Sequence, residues 1–293
     1  MKLPVDQIIH DLLTNKLKIL EKHFKSDVVS YFGPIIDGYE TVFMQIIEQL
    51  NKGKKKSDSL YIILTTQGGN ARAVERCVNI VRNHYSEVNF IIPDYAYSAG
   101  TIFCLSGDNI HMDYFSVLGP IDPQVQNKEG KWVPALGYLD KVNELLEKAK
   151  NNSLTQAEFL ILKDFDLAEL RAYEQAKELT IALLKKWLVK YKFKNWIKHS
   201  TTPMLLNKAV TEEEKEKRAE EIADELGNNK TWKSHGRPIN METLVNDPKL
   251  RLKIEDFGKI PERKRMIREY YILLLDYITK NEYQIFTHSR EFI

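Results

Sequence analysis

Ser98, in the stretch DYAYSAGTIF (residues 94–103), stands between an apolar run and a small-residue turn that opens a helical pattern. A serine at a helix start meets unpaired backbone N–H groups that favour a developing negative charge, which suits acyl transfer. The same position suits a simple helix N-cap, so Ser98 by itself is ambiguous. The second feature is TTQGGN (residues 65–70), where Gly68 and Gly69 close an apolar strand pattern. Glycines there let main-chain N–H groups face outward with no Cβ in the way, as an oxyanion hole requires. If the two turns end neighbouring strands, a carbonyl oxygen fits between the N–H of Gly68 or Gly69 and that of Ala99.

A serine hydroxyl needs a general base within hydrogen-bond reach. Of the seven histidines, His10, His23, His84, His199 and His288 read as surface positions, and His111 alternates with apolar neighbours on a strand. His235 differs, because Ser234, Gly236 and Pro238 hold it in a constrained loop, KSHGRPI, of the kind that presents functional side chains. An orienting acid is offered by Asp122 in GPIDPQ, stiffened by Pro120 and Pro123. Ordinary Asx-Pro turn chemistry explains that aspartate equally. Lys141 is an alternative base for a serine–lysine dyad if it is desolvated. Its surroundings, YLDKVNELLEKAK, read instead as a charged surface helix.

These side chains need a scaffold. SDVVSYFGPI reads as a strand ending at Gly33-Pro34, and TVFMQIIEQLNKG as a helix stopped by Gly53. DSLYIILTTQGG followed by ARAVERCVNIVRNHY is one strand–turn–helix unit. Val88–Ile92, the Ser98 turn and the helical pattern from Ala99 to Leu105 repeat it. Two consecutive units predict an α/β fold with a largely buried sheet. Val5, Ile8, Ile9, Leu12, Leu13, Leu17, Leu20 and Phe24 form a broad stripe on an N-terminal amphipathic helix. From Tyr138 the chain turns to charged helices over 138–151, 155–163, 167–194 and 211–226, the last opened by a capping box of Thr211 and Glu214. A final helix spans 261–282. The expected division is an α/β core with the N-terminal helix (1–137), a helical insertion or arm (138–230), and the His235 loop with a C-terminal helix (231–293).

Composition excludes several classes. The 293 residues carry a net charge of only +2, so no global field favours nucleic acid or an anionic membrane. The two cysteines, Cys77 and Cys104, fall inside apolar helical patterns, which suits packed thiols in a reducing compartment and leaves no zinc-like spacing. No segment has the uninterrupted apolar length of a signal peptide or membrane span, so the expected location is cytoplasmic. Neither GxGxxG nor GxxxxGK[ST] occurs, and no cofactor or metal is expected.

Together YFGPI, LYIILTTQGGNARAVERCVNIVR, VNFIIPDYAYSAGTIFCLSGDNIHMDYFSVLGPIDPQ and WKSHGRPI resemble the Clp-fold serine peptidases. They are most similar to the serine dehydrogenase proteinase family, related to the Clp protease proteolytic subunit and to signal peptide peptidase A. The resemblance implies a Clp/crotonase-like fold and a peptidase in which Ser98 is the nucleophile and Gly68 or Gly69, with Ala99, supplies the oxyanion N–H groups. In the Clp subunit a histidine occupies the loop where this chain has Asp122, and the third triad member lies near the place of His235. The implied triad therefore exchanges the two roles in chain order, with His235 as base and Asp122 as acid; geometry defines a triad, so the exchange is permitted. Relatives that use lysine make Lys141 the alternative. The resemblance further implies a peptide or unfolded-protein substrate and a homo-oligomer. Two other readings share the fold: a crotonase-type acyl-coenzyme A enzyme that would not need Ser98, and a non-catalytic peptide-binding scaffold.

Overall fold

The computed structural model describes residues 4–52, 57–126, 130–199 and 203–291. Strands β1 (Asp27–Phe32), β2 (Ser59–Thr65) and β3 (Glu87–Ile91) are buried almost throughout, as continuous apolar runs must be when both faces are covered. Helix α1 (Pro4–Phe24) precedes them; α2 (Tyr39–Asn51) and α3 (Ala71–His84) link them in right order for a parallel sheet. Gly53, expected to stop the second helix, lies outside the described residues. After β3 come β4 (Tyr95–Ala96), α4 (Ala99–Leu105), β5 (Asn109–Met112) and β6 (Val117–Leu118).

A short antiparallel pair, β7 (Gln124–Gln126) and β8 (Trp132–Pro134), leads into α5 (Ala135–Lys150), α6 (Gln156–Lys163), α7 (Leu167–Trp187) and α8 (Glu212–Leu226). The capping box of Thr211 and Glu214 is formed on α8. The helix expected to run unbroken to residue 194 changes to a single π turn over Leu188–Lys192. The chain closes with α9 (Asn229–Trp232), β9 (Ile239–Asn240), α10 (Met241–Asn246), β10 (Glu255–Asp256), α11 (Pro261–Lys280) and β11 (Phe286–Ser289). Pro261 at the first turn of α11 lacks the N–H that would have been unsatisfied there.

Two sheets result. The larger has the order β10-β5-β3-β2-β1-β11, parallel except where β11 runs against β1. The smaller, β4-β6-β9, joins β4 to β6 in parallel and β9 to β6 antiparallel. The main apolar cluster combines the sheet with residues of α7 and α8, including Leu184, Trp187, Ile222 and Leu226, so that part of the helical block over 138–230 shares one core with the strands. A second cluster lies between α1, α11 and the other face of the sheet. Of the expected α1 stripe only Leu13, Leu17 and Leu20 are fully buried; Val5, Ile8 and Leu12 stay exposed because α11 covers a narrower strip than the sequence offers. No helix among the described residues is long and apolar enough to cross a membrane.

Candidate active site

The small sheet organises the site. Ser98 follows β4 by two residues, Asp122 follows β6 by four, and His235 precedes β9 by four, with Leu118 opposite Ile239 and Val117 opposite Asn240. The end of β2 joins in, since Thr66 N donates to Tyr95 O at 3.1 Å and Tyr97 N to Thr66 O at 3.0 Å. Three segments distant in sequence thus reach one end of the sheet by backbone pairing.

Ser98 is the N-cap residue of α4, yet its side chain caps nothing. Its backbone adopts φ 51°, ψ −116°, a region that non-glycine residues avoid. Oγ donates to the Asp122 carbonyl oxygen at 3.4 Å, and the residue is 5% exposed. The following helix start is held by Thr101, whose hydroxyl donates to Gly119 O at 2.8 Å or Ala96 O at 2.9 Å and accepts from Gly119 N at 3.1 Å. Sequence reasoning passed over Thr101; its signal was a hydroxyl one turn into an otherwise apolar helix.

The glycine turn lies against the serine turn. A Cβ on Gly68 (φ 100°) would come within 2.6 Å of Tyr97 O and 3.0 Å of Ser98 Cβ, and one on Gly69 (φ 145°) within 2.0 Å of Ile35 O. Ile35 N donates to Gly68 O and Asn70 N to Ile35 O, each at 2.8 Å, which fixes the turn. The two glycine N–H groups differ. That of Gly68 donates to Thr66 Oγ1 at 3.0 Å, whereas those of Gly69 and Ala99 have no partner among the described residues.

Asp122 is 1% exposed. Its Oδ1 accepts from Leu136 N at 3.1 Å, while Oδ2 faces His235 Nδ1 at 4.0 Å and neither of these two atoms has a hydrogen bond among the described residues. Burial raises the Asp122 carboxyl to about 6, against the lowering effect of the Leu136 N–H and the Asn229 amide. Burial also lowers the His235 imidazole below its ordinary value. The His235 loop is set by a left-handed Lys233 at the end of α9 and a turn from Arg237 N to Ser234 O at 3.2 Å. Trp232 Nε1 donates to Glu225 O at 2.6 Å, tying that loop to α8, and Ile121 N donates to Leu226 O at 3.1 Å, tying the Asp122 loop to the same helix end. No hydrogen bond joins Ser98 to His235 among the described residues.

Lys141 lies on α5 with its side chain 51% exposed and paired to Glu144 at 3.1 Å; it contacts none of these groups through a hydrogen bond or ion pair among the described residues. Two histidines expected at the surface are corrected: His288 is fully buried on β11 with Nδ1 2.7 Å from the Tyr270 hydroxyl, and His199 is 8% exposed beside Glu214. A final strand returning along β1 buries the first, which helix-by-helix reading could not foresee. Cys77 and Cys104 are free and buried, and burial pushes the Cys77 thiol up to about 12. Among the described residues no group of three or more His, Cys, Asp or Glu is placed to hold a metal ion.

The family described as ClpP-like SDH-type serine proteinase matches residues 35–214. Two uncharacterized proteins of Methanocaldococcus jannaschii are similar, one 35% identical over 124 residues (42% of this chain, 38% of its own) and one 31% identical over 104 residues (34% and 36%). The chain therefore spans less than two fifths of these curated relatives. Similar solved structures include a serine-to-alanine mutant of the 1510-N membrane-bound stomatin-specific protease, 15% identical with a TM-score of 0.43, covering 80% of this chain and 82% of that one. A lysine-to-alanine mutant of that protease in complex with a substrate peptide is 24% identical with a TM-score of 0.30, covering 51% and 71%.

Proposed function

The chain belongs to the ClpP-like SDH-type serine proteinases and has the Clp-like fold, and from that premise we propose that it hydrolyses peptide bonds through an acyl-enzyme on Ser98. In this reading Ser98 Oγ attacks the scissile carbonyl and His235 takes its proton. Asp122 holds the imidazole and stabilises its charged form. The N–H groups of Gly69 and Ala99 receive the oxyanion. His235 then returns the proton to the leaving amine, and a water activated by the same imidazole releases the acyl group. Gly68 is assigned to shape, since its N–H is engaged by Thr66.

The observation that carries the reading is the strained, uncapped Ser98 beside two unoccupied N–H groups, with His235 facing Asp122 from the adjoining loop. The 4.0 Å separation and the Ser98 bond to a carbonyl describe a resting arrangement; catalytic hydrogen bonds commonly tighten when substrate is bound. A serine–lysine dyad would require Lys141 to leave Glu144 and the solvent.

A fluorophosphonate probe followed by peptide mapping tests the assignment. Labelling is expected at Ser98, lost in Ser98→Ala and in His235→Ala, and retained within about twofold in Lys141→Ala, an exposed pair of little energetic weight. Loss in Lys141→Ala with retention in His235→Ala would replace the triad by the dyad. No labelling of the wild type would remove the peptidase reading.

A further inference from the structure

Helix α11 reaches the roots of both turns of the candidate site. Arg268 and Tyr271, three positions apart, share one face of it. Arg268 donates from one Nη to Pro93 O at 2.6 Å, while its other Nη and its Nε hold the fully buried Asp113 carboxylate at 2.5 and 3.2 Å. The buried Tyr271 hydroxyl donates to Asp94 Oδ2 at 3.1 Å and accepts from Thr65 Oγ1 at 3.3 Å. Asp94 opens the stretch that runs into Ser98 and Ala99, and Thr65 ends the strand that runs into Gly68 and Gly69. One hydroxyl therefore spans the two segments just before they form the site. Beyond it they stay in contact. A Cβ on Gly100 would lie 2.4 Å from Thr66 Cγ2, and one on Gly68 3.2 Å from Ala99 N, so the start of α4 rests on Thr66 and the glycine turn lies against the Ala99 N–H. Interiors packed this closely pass a displacement on to their neighbours.

We propose that Tyr271 is a positioning residue for the oxyanion hole: by tying Asp94 to Thr65, its hydroxyl sets the spacing of the Gly69 and Ala99 N–H groups. The role rests on the peptidase reading above. Burial, with the neighbouring Asp94, raises the Tyr271 phenol above its ordinary value, so it keeps the proton that it donates. The adjacent Tyr270 supplies an internal comparison. Its hydroxyl is as deeply buried but bonds Ser30 Oγ at 2.8 Å and His288 Nδ1 at 2.7 Å, on β1 and β11 and away from both turns.

The test compares Tyr271→Phe with Tyr270→Phe, each of which loses one buried hydroxyl and keeps its ring. Fluorophosphonate labelling of Ser98 is resolved into a maximal rate and a half-saturating probe concentration. Tyr271→Phe is expected to lower the maximal rate at least about tenfold and leave the half-saturating concentration unchanged, because a misplaced hole weakens only the transition state. Thr65→Val, which removes the other end of the bridge, is expected to slow labelling by a similar factor and to add little to Tyr271→Phe. Tyr270→Phe is expected to label at the wild-type rate. A wild-type rate in Tyr271→Phe would overturn the proposal, as would an equal fall in Tyr270→Phe, which would assign the effect to a general loosening of α11. Failure of the peptidase reading is distinguishable, since the wild type itself would then resist labelling. The spacing is read in that case from proton–nitrogen correlation spectra: the amide signals of Gly69 and Ala99 are expected to move in Tyr271→Phe and to stay in Tyr270→Phe, and unmoved signals in Tyr271→Phe would overturn the positioning role.

Discussion

Nδ1 of His235 lies 4.0 Å from Oδ2 of Asp122, and neither atom has a hydrogen-bond partner among the described residues. The carboxyl is raised to about 6 by burial and the imidazole is lowered by burial, so as pH rises both approach the forms that the proposed triad uses, carboxylate and neutral imidazole. The rate of fluorophosphonate labelling is therefore expected to climb through an acid limb centred near pH 6 and to level off above about pH 7. A limb centred well above 7 would mean that another group governs the reaction.

The raised carboxyl also links stability to pH. Its value is about 6 in the folded protein against 3.8 for an ordinary aspartate, so its favourable contribution is present below about pH 4 and is lost as pH rises to about 6. Asp122→Asn removes that titration. Relative to the wild type, the variant is expected to gain stability between pH 4 and pH 7, by at most about 3 kcal/mol. Urea unfolding at the two pH values measures the difference, and a constant offset would contradict the linkage.

Ser98 occupies a backbone region that costs about 1–3 kcal/mol for a residue with a Cβ, while glycine occupies it freely. After the greater chain entropy of glycine is deducted, Ser98→Gly is expected to be more stable than Ser98→Ala by about 1 kcal/mol, both lacking the hydroxyl. Thermal unfolding of the two variants side by side gives the comparison; equal midpoints would show that the turn stores no strain.

Gly69→Ala would set a methyl group 2.0 Å from Ile35 O at φ 145°, where backbone on both sides cannot yield. The expected loss is at least about 2 kcal/mol of stability, through strain at a special backbone conformation. If Gly69 holds the oxyanion as proposed, labelling of Ser98 should fall by about a hundredfold or more where the variant is still folded, because its N–H is displaced. Urea denaturation and labelling rate at one temperature separate the two effects.

Much of this was legible locally. Continuous apolar runs such as LYIIL and NFII dictate buried strands, Gly68-Gly69 permits its turn, and Thr211 with Glu214 starts a helix, because each depends on residues within a few positions. The sequence also drew attention to Ser98, Asp122 and His235 as residues on constrained turns. It could not say that Ser98 Oγ would bond the Asp122 carbonyl, that Thr101 would fasten α4 to Gly119, or that Gly68 and not Gly69 would spend its N–H on Thr66. Nor could it bury His288, although the charged helix it read around Lys141 does carry that lysine outward to Glu144.

The sequence by itself determined β1 to β3, the helices that follow them and the glycine turn, since periodicity and glycine conformation are properties of neighbouring residues; β9, β10 and β11 left no such mark in it. Only the tertiary structure decided that the His235 loop meets Asp122. That meeting depends on β9 pairing with β6 across more than a hundred residues, in the register Leu118 to Ile239. Two-residue strands carry almost no pattern of their own, so their partner is chosen by how α8 and the core seat the connecting chain.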